Sequence, residues 1–253
     1  MEADLSRLPT GASGWLALVD YATSLGDLSE VGWLELKGAL SFTGRTDRKR
    51  SVVVVSRAIL GMANRIPDSA QKHLGGYGVV FVGIDNHSVV GTERVDGAVL
   101  QEEVEKYVGE GGPRWDHQFV EHSDGLVLAL VVDPPQWGDR IYACRKGYSD
   151  KDTTLAVRDG EIFVRVPGKT RPATSYDLSQ LERRLLSAPH TGAAVRVEYD
   201  STFDRIATGD VRELVESVVD EEAEGLLAGL PSGPRHGLSS VQDSDPSLRR
   251  WRG

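Results

Sequence analysis

Three carboxylates and one lysine are the residues whose types and spacing could support chemistry. Glu30 lies five residues before Glu35, and Lys37 follows two residues later. Asp85 comes at the end of a distant apolar run. Carboxylates that converge on one point bind Mg²⁺ or Mn²⁺, and a lysine beside them can offset the charge growing on a phosphate. Spacing equally allows the carboxylates to lie on a solvated face, with Asp85 beginning a turn after a core strand.

Other common catalytic signatures are absent from the sequence. The glycine-rich stretch 75–83 precedes a strand and lacks the Gly-Lys-Ser/Thr ending of a phosphate-binding loop. The six histidines show no HxH or HxxxH spacing, which argues against a histidine metal site. No Gly-x-Ser-x-Gly elbow is present. The acidic set with Lys37 is therefore the candidate active site.

A short basic segment is the second candidate feature. Offset only by Asp47, it contains Arg45, Arg48, Lys49 and Arg50. Arg57 and Arg65 could extend this basic cluster along a helix. The cluster indicates either contact with phosphates or a solvated helix start.

Composition limits the class of protein. With 253 residues, of which 40% are hydrophobic, the chain is long enough for a substantial core. No apolar run reaches the length of a transmembrane helix, and the first residues do not resemble a signal peptide. Cys144 is the single cysteine, which excludes an intrachain disulfide and a cysteine-cluster zinc site. We therefore expect a soluble, cytoplasmic protein without membrane contact.

The first elements must position the acidic set. Apolar residues at helical spacing predict a helix over 15–25, and alternation of apolar and charged residues predicts a strand over 33–37. Residues 47–66 contain four consecutive valines, but their length and a helical apolar face favour a helix that Pro67 stops.

The stretch 75–86, GGYGVVFVGIDN, predicts a central strand. Its nearly continuous apolar run is typical of a strand covered on both faces. Gly83 interrupts the run and indicates a bulge or the close approach of another backbone or a ligand. Asp85 and Asn86, just beyond it, would then point toward that group. Beyond it the pattern predicts a helix at 98–108, a hairpin over 118–132 turning at 123–125, short strands at 142–144 and 154–157, a strand at 161–166, and a helix capped by Ser175 or Asp177.

The C-terminal part has a different composition. A final strand is predicted at 193–199 and a charged amphipathic helix at 210–230. Residues 201–230 carry eight acidic and two basic side chains, a net charge of −6 within the chain's −9. Residues 231–253 are rich in Pro, Gly, Ser, Asp and Arg, which predicts a disordered tail.

The order of five short motifs resembles the Schlafen-type Alba-like domain. The motifs are GWLELK, a helix ending AILGMANR, GGYGVVFVGID, a hairpin ending LVLALVV, and FVRVPGKTRPAT. The residues that match the family pattern are Glu35, Lys37, Ala63, Asn64, Gly75, Gly76, Gly83, Asp85, Phe163, Val164, Arg165 and Thr170. The resemblance implies a domain over 28–188, preceded by an N-terminal helix within 1–27 and followed by the strand and acidic helix of 189–230. The expected fold is α+β, with a mixed, mostly antiparallel sheet flanked by helices.

The resemblance also implies a metal-dependent endoribonuclease that cuts structured RNA such as tRNA, in bacterial defence or stress response. In that family two glutamates five residues apart and a later aspartate form the active site, which corresponds to Glu30, Glu35 and Asp85 here. Lys37 would stabilise the scissile phosphate, and Mg²⁺ or Mn²⁺ would be the cofactor. The residues expected to grip the nucleic-acid backbone are Arg45, Arg48, Lys49, Arg50, Arg165 and Lys169.

Two other functions fit the sequence. In the first, the chain is a non-catalytic DNA- or RNA-binding regulatory module, and Glu35 and Lys37 form a same-face ion pair that supports the fold. In the second, it is a protein-interaction component whose acidic helix at 210–230 either docks another protein or a second copy of the chain, or masks the basic cluster.

Overall fold

The computed structural model describes residues 3–26 and 31–187, and this part of the chain confirms the expected α+β class. Its main sheet has four strands in the order β1 (Leu34–Lys37), β2 (Gly78–Val82), β6 (Gly125–Val132), β5 (Trp115–His122). β1 runs parallel to β2, whereas the other two pairings are antiparallel. The sheet is therefore mixed and mostly antiparallel.

The strands of the main sheet are β1 (Leu34–Lys37), β2 (Gly78–Val82), β5 (Trp115–His122) and β6 (Gly125–Val132). Three two-stranded ribbons pair β3 (Ile84–Asp85) with β4 (Ser88–Val89), β7 (Tyr148–Ser149) with β8 (Ala156–Val157), and β9 (Phe163–Val166) with β10 (Lys169–Pro172). The helices are α1 (Ala12–Leu25), α2 (Arg45–Ala63), α3 (Pro67–Ala70), α4 (Gly97–Val108) and α5 (Ser175–Leu186), with a short 3-10 turn at Leu74–Gly76.

Both faces of the sheet are covered. All five residues of β2 are buried, which confirms the expectation from its continuous apolar run. Val79 and Phe81 pack in the apolar cluster that includes α1, whereas Val80 and Val82 pack in the cluster that includes α2 and α4. The alternation of side chains along a strand thus places the sheet between two helical layers.

Gly83 ends the central strand because another part of the backbone passes next to it. Its φ is +99°, and a Cβ built there would lie 2.9 Å from the carbonyl carbon of Gly91. The Gly83 amide still donates to the carbonyl of Lys37, at 2.9 Å. The predicted close backbone approach is confirmed, and the exposed Asp85 follows directly.

Most predicted elements are confirmed, with small differences at their ends. Residues 45–63 are a helix despite the four valines, because the packed face outweighs the β propensity of branched side chains. Residues 142–144 were expected to form a strand but contribute an isolated bridge from Ala143 to Ile162. The cap of α5 is Thr174, whose side chain accepts from the Asp177 amide, whereas Ser175 or Asp177 was expected.

Some predictions lie outside the described residues. These are the strand at 193–199, the acidic helix at 210–230, the disordered tail at 231–253, and the position of Glu30. None of the helices within the described ranges has the length and apolar character needed to span a membrane.

Replacing Phe81 by alanine tests the importance of the central strand. Its side chain is fully buried and meets Trp15 of α1 edge-on, with 6.4 Å between ring centroids. We expect Phe81→Ala to lower the free energy of unfolding by about 3–5 kcal/mol, because it removes buried surface and leaves a cavity. In the control, Val90→Ala at a 49% exposed position, the change should stay within about 0.5 kcal/mol. Denaturant titration measures both, and equal effects would contradict the layered packing.

Candidate functional site

Glu35 faces the interior of the protein. Because side chains alternate along β1, Leu34 and Leu36 pack in the α1 layer while Glu35 and Lys37 point to the opposite face. Glu35 is only 2% exposed. A buried carboxylate needs charged or hydrogen-bonding partners, because burial without them is strongly unfavourable.

Three side chains satisfy both oxygens of Glu35. Lys37 Nζ lies 2.7 Å from Oε1. The hydroxyl of Thr170 donates to Oε2 at 2.6 Å, and Arg165 Nη1 lies 3.2 Å from the same oxygen. These four residues are called the Glu35 cluster below.

The cluster keeps Glu35 ionised. Burial by itself would raise the pKa of the Glu35 carboxyl, but the positive charges of Lys37 and Arg165 oppose it. Hydrogen bonds from Lys37 and Thr170 act in the same direction as these charges. The net result is a pKa below the ordinary value of 4.5.

The β9–β10 hairpin brings two members of the cluster together. Arg165 and Thr170 are directly opposite each other in its register, so their side chains share one face. Gly168, with φ +85°, lies in the tight turn. Gly61 of α2 leaves room for the hairpin, because a Cβ there would approach Thr170 Cγ2 to 2.8 Å.

Arg165 also fastens β1 to this hairpin. Its guanidinium donates to the carbonyl of Leu34 at 2.6 Å and to that of Val31 at 3.2 Å. The side chain has 0% exposure, so Arg165 does not reach a nucleic-acid backbone as expected from the sequence. It is instead a buried partner of Glu35.

Two further buried arginines bind backbone carbonyls nearby. Arg65 donates to Met62 and Gly76, and burial, with a smaller effect of neighbouring Arg165, lowers its pKa to about 9. Arg184 is fully buried and donates to three carbonyls, those of Ala63, Arg65 and Arg140. Arg65 and Arg184 thus fix the C-terminal end of α2. Sequence reasoning missed their role, because a buried arginine has no distinctive local pattern.

Asn64 explains another of the sequence motifs. Its side-chain amide donates to the carbonyls of Tyr142 and Phe163, and its side-chain oxygen accepts from the Tyr142 amide. The end of α2 is therefore tied to β9 and to the chain before β7. Like Arg165 and Thr170, Asn64 has a structural role.

The expected metal ligands are not gathered in the described part of the chain. Asp85 is exposed beside Gly38, where a Cβ would lie 3.9 Å from the Asp85 carboxyl carbon. Within residues 3–26 and 31–187, no three His, Cys, Asp or Glu side chains form a group that could hold a metal ion. Both oxygens of Glu35 already have partners, namely Lys37, Arg165 and Thr170. With Glu30 outside the described residues, the metal site stays a prediction.

The residues of the basic cluster at the start of α2 make different contacts. Arg50 pairs with the buried Asp150, and this hydrogen bond holds the pKa of Asp150 well below its usual range. Arg48 donates to the carbonyl of Phe42 at 3.1 Å. Arg45 and Lys49 are exposed and form no ion pair with any other described residue.

Lys169 is the last of the expected nucleic-acid contacts. It is exposed on β10, next to Thr170 of the Glu35 cluster. Of the six residues expected to grip a nucleic acid, the exposed ones are therefore Arg45 and Lys49 at the start of α2, and Lys169 on the hairpin that packs against the same helix.

Comparison with known proteins gives no family assignment. No family model matches the chain, and no curated protein matches it. Among solved structures, the DIP2311 protein from Corynebacterium diphtheriae is similar at 16% identity and a TM-score of 0.40. The match covers 60% of this chain and 24% of that one. Similarity at this level carries no argument, and membership of the Schlafen-type family stays a prediction.

Removing Arg165 tests the Glu35 cluster. We expect Arg165→Met to lower the free energy of unfolding by about 3–5 kcal/mol, because it takes a cation from a buried carboxylate. The double variant Arg165→Met/Glu35→Met should lose less unfolding free energy than the sum of the two single losses, by about 0.5–3 kcal/mol. The control is Lys169→Met on the same hairpin, with an expected change within about 0.5 kcal/mol. Additive single effects in chemical denaturation would contradict the coupling.

The lowered pKa of Glu35 predicts a pH dependence. A carboxyl whose pKa is lower in the folded state stabilises the protein above the unfolded value near 4.5, and that contribution is lost as pH falls through the folded value. Glu35→Gln should therefore be less stable than the wild type at pH 7, and the difference should shrink as pH falls below about 4.5. Thermal unfolding from pH 7 downward measures it. A difference that stays constant with pH would show that Glu35 is not ionised in the fold.

Proposed function

We propose that the chain is a non-catalytic nucleic-acid-binding module. The observation that carries the proposal is the set of exposed cations, Arg45 and Lys49, at the start of α2 in a protein of net charge −9. Cations without ion pairs are available to bind phosphates.

The start of α2 adds a second source of positive potential. Gly44 is the N-cap of this 19-residue helix and has no side chain that could accept a hydrogen bond from the first amides. The helix dipole places a partial positive charge at the same end. Arg45 and Lys49 are one turn apart and share a face, which suits contact with neighbouring phosphates.

The Glu35 cluster supports binding in preference to catalysis. Glu35 and Lys37 form the same-face ion pair expected for a module of this kind, at 2.7 Å. Withdrawing the carboxylate to a metal would leave Arg165 and Lys37 without their shared anion. Binding through Arg45 and Lys49 requires no such rearrangement.

Salt dependence of binding tests the proposal. We expect Arg45→Ala/Lys49→Ala to weaken binding to a fluorescent duplex DNA and to reduce the slope of log K against log salt by about 2, one unit for each lost phosphate contact. The control is Arg114→Ala/Arg183→Ala, which removes the same charge at two other exposed positions and should keep most of the slope. Equal slopes for the two variants would contradict a phosphate contact at α2.

Incubation with RNA separates binding from the predicted nuclease activity. We expect the protein to leave a tRNA pool uncut in Mg²⁺ or Mn²⁺ while it still binds the RNA. Cleavage in Mn²⁺ that Glu35→Gln abolishes, with the circular dichroism spectrum unchanged, would overturn the proposal in favour of the metal-dependent nuclease.

A further inference from the structure

The long outer edge of β5 is a feature that nucleic-acid binding does not use. β5 is eight residues long and ends the four-stranded sheet, and within residues 3–26 and 31–187 it pairs with β6 alone. A strand at the edge of a sheet presents a row of amide and carbonyl groups that can pair with another strand.

One hydrogen bond indicates which residues of β5 direct their backbone outward. The His117 amide donates to the carboxylate of its neighbour Asp116, at 2.7 Å. In an antiparallel pair, alternate residues bond to the same neighbouring strand and the others point away from it. His117, Phe119 and Glu121 therefore present their amides and carbonyls at the open edge.

A groove follows this edge. A cavity of about 660 Å³ is lined by all six residues of 116–121, with residues 8–12 and Trp15 on its other side. Successive side chains of a strand point to opposite faces, so a cavity that touches six in a row must run along the backbone. The groove therefore follows the edge to which a strand would be added.

We propose that the added strand is β5 of a second copy of this chain, antiparallel to the first about a two-fold axis at Phe119. This register places Asp116 opposite His122, and His117 opposite Glu121, so acidic residues face histidines at four positions of the pair. Phe119 faces its own equivalent, and aromatic pairs across strands are favourable. The two four-stranded sheets become one continuous sheet of eight strands.

Neighbouring registers are less favourable. Moving the axis to Val120 would place Asp116 opposite Asp124, and like charges directly opposite each other are destabilising. Moving it to Gln118 would place Asp116 opposite Val120 and lose both acid–histidine pairs. The axis at Phe119 also lets His117, Phe119 and Glu121 exchange backbone hydrogen bonds with the second copy.

Disulfide trapping tests the register. Hydrogen-bonded residues opposite each other in an antiparallel pair have Cα atoms about 5.5 Å apart, within the range of a disulfide. Phe119→Cys should therefore give a covalent dimer under mild oxidation. In the control, His117→Cys, the two thiols are on the same face of the sheet but four positions apart along the strands, a distance of about 13 Å. This variant should form little covalent dimer. Native Cys144 is 1% exposed and should not react.

Sedimentation of the unmodified protein tests the dimer itself. The wild type should show a monomer–dimer equilibrium, and Phe119→Lys should raise the dimer Kd about tenfold or more by placing two like charges at the axis. Hydrogen exchange should protect the amides of His117, Phe119 and Glu121 only in the dimer. A folded wild type that stays monomeric at its highest soluble concentration, or equal trapping of the two cysteine variants, would overturn the proposal. Neither experiment depends on nucleic-acid binding.

Discussion

The burial of one carboxylate, Glu35, is the constraint on which the arrangement of this fold depends. An ionised carboxylate leaves water at a cost of several kcal/mol, and only well-placed cations and hydrogen bonds compensate for it. Lys37, Arg165 and Thr170 provide that compensation from β1 and from a hairpin more than a hundred residues later. Because the three must meet at one point, the β9–β10 hairpin is held against β1.

This constraint accounts for motifs that first suggested an active site. Glu35 and Lys37 form an ion pair, Arg165 fastens the carbonyl of Leu34, and Asn64 ties the end of α2 to β9. Polar residues at fixed positions are thus needed by the fold itself, without any substrate. The same residue types can serve chemistry elsewhere, so spacing along a sequence does not separate the two uses.

Local signals predicted the elements well, and distant contacts were beyond them. Apolar periodicity identified α1, α4 and the β5–β6 hairpin, and the continuous apolar run of β2 correctly indicated a strand buried on both faces. The ion pair of Glu35 with Lys37 was among the sequence predictions, but the contacts with Arg165 and Thr170 could not be predicted, because these residues lie about 130 positions away and no short-range rule connects them. The cap at Thr174 was missed by one residue, since Ser175 and Asp177 offer similar side chains.

The two edges of the main sheet are treated in opposite ways. At β1 the strand is only four residues long, and the buried guanidinium of Arg165 occupies the carbonyl of Leu34. At β5 the strand is twice as long. The His117 amide at its edge donates to the exposed carboxylate of Asp116. A competing strand can displace this carboxylate at little cost, because water then solvates it. Proteins that must not associate often shorten such an edge strand. The cluster that closes the β1 edge therefore leaves β5 as the side from which the sheet can be extended.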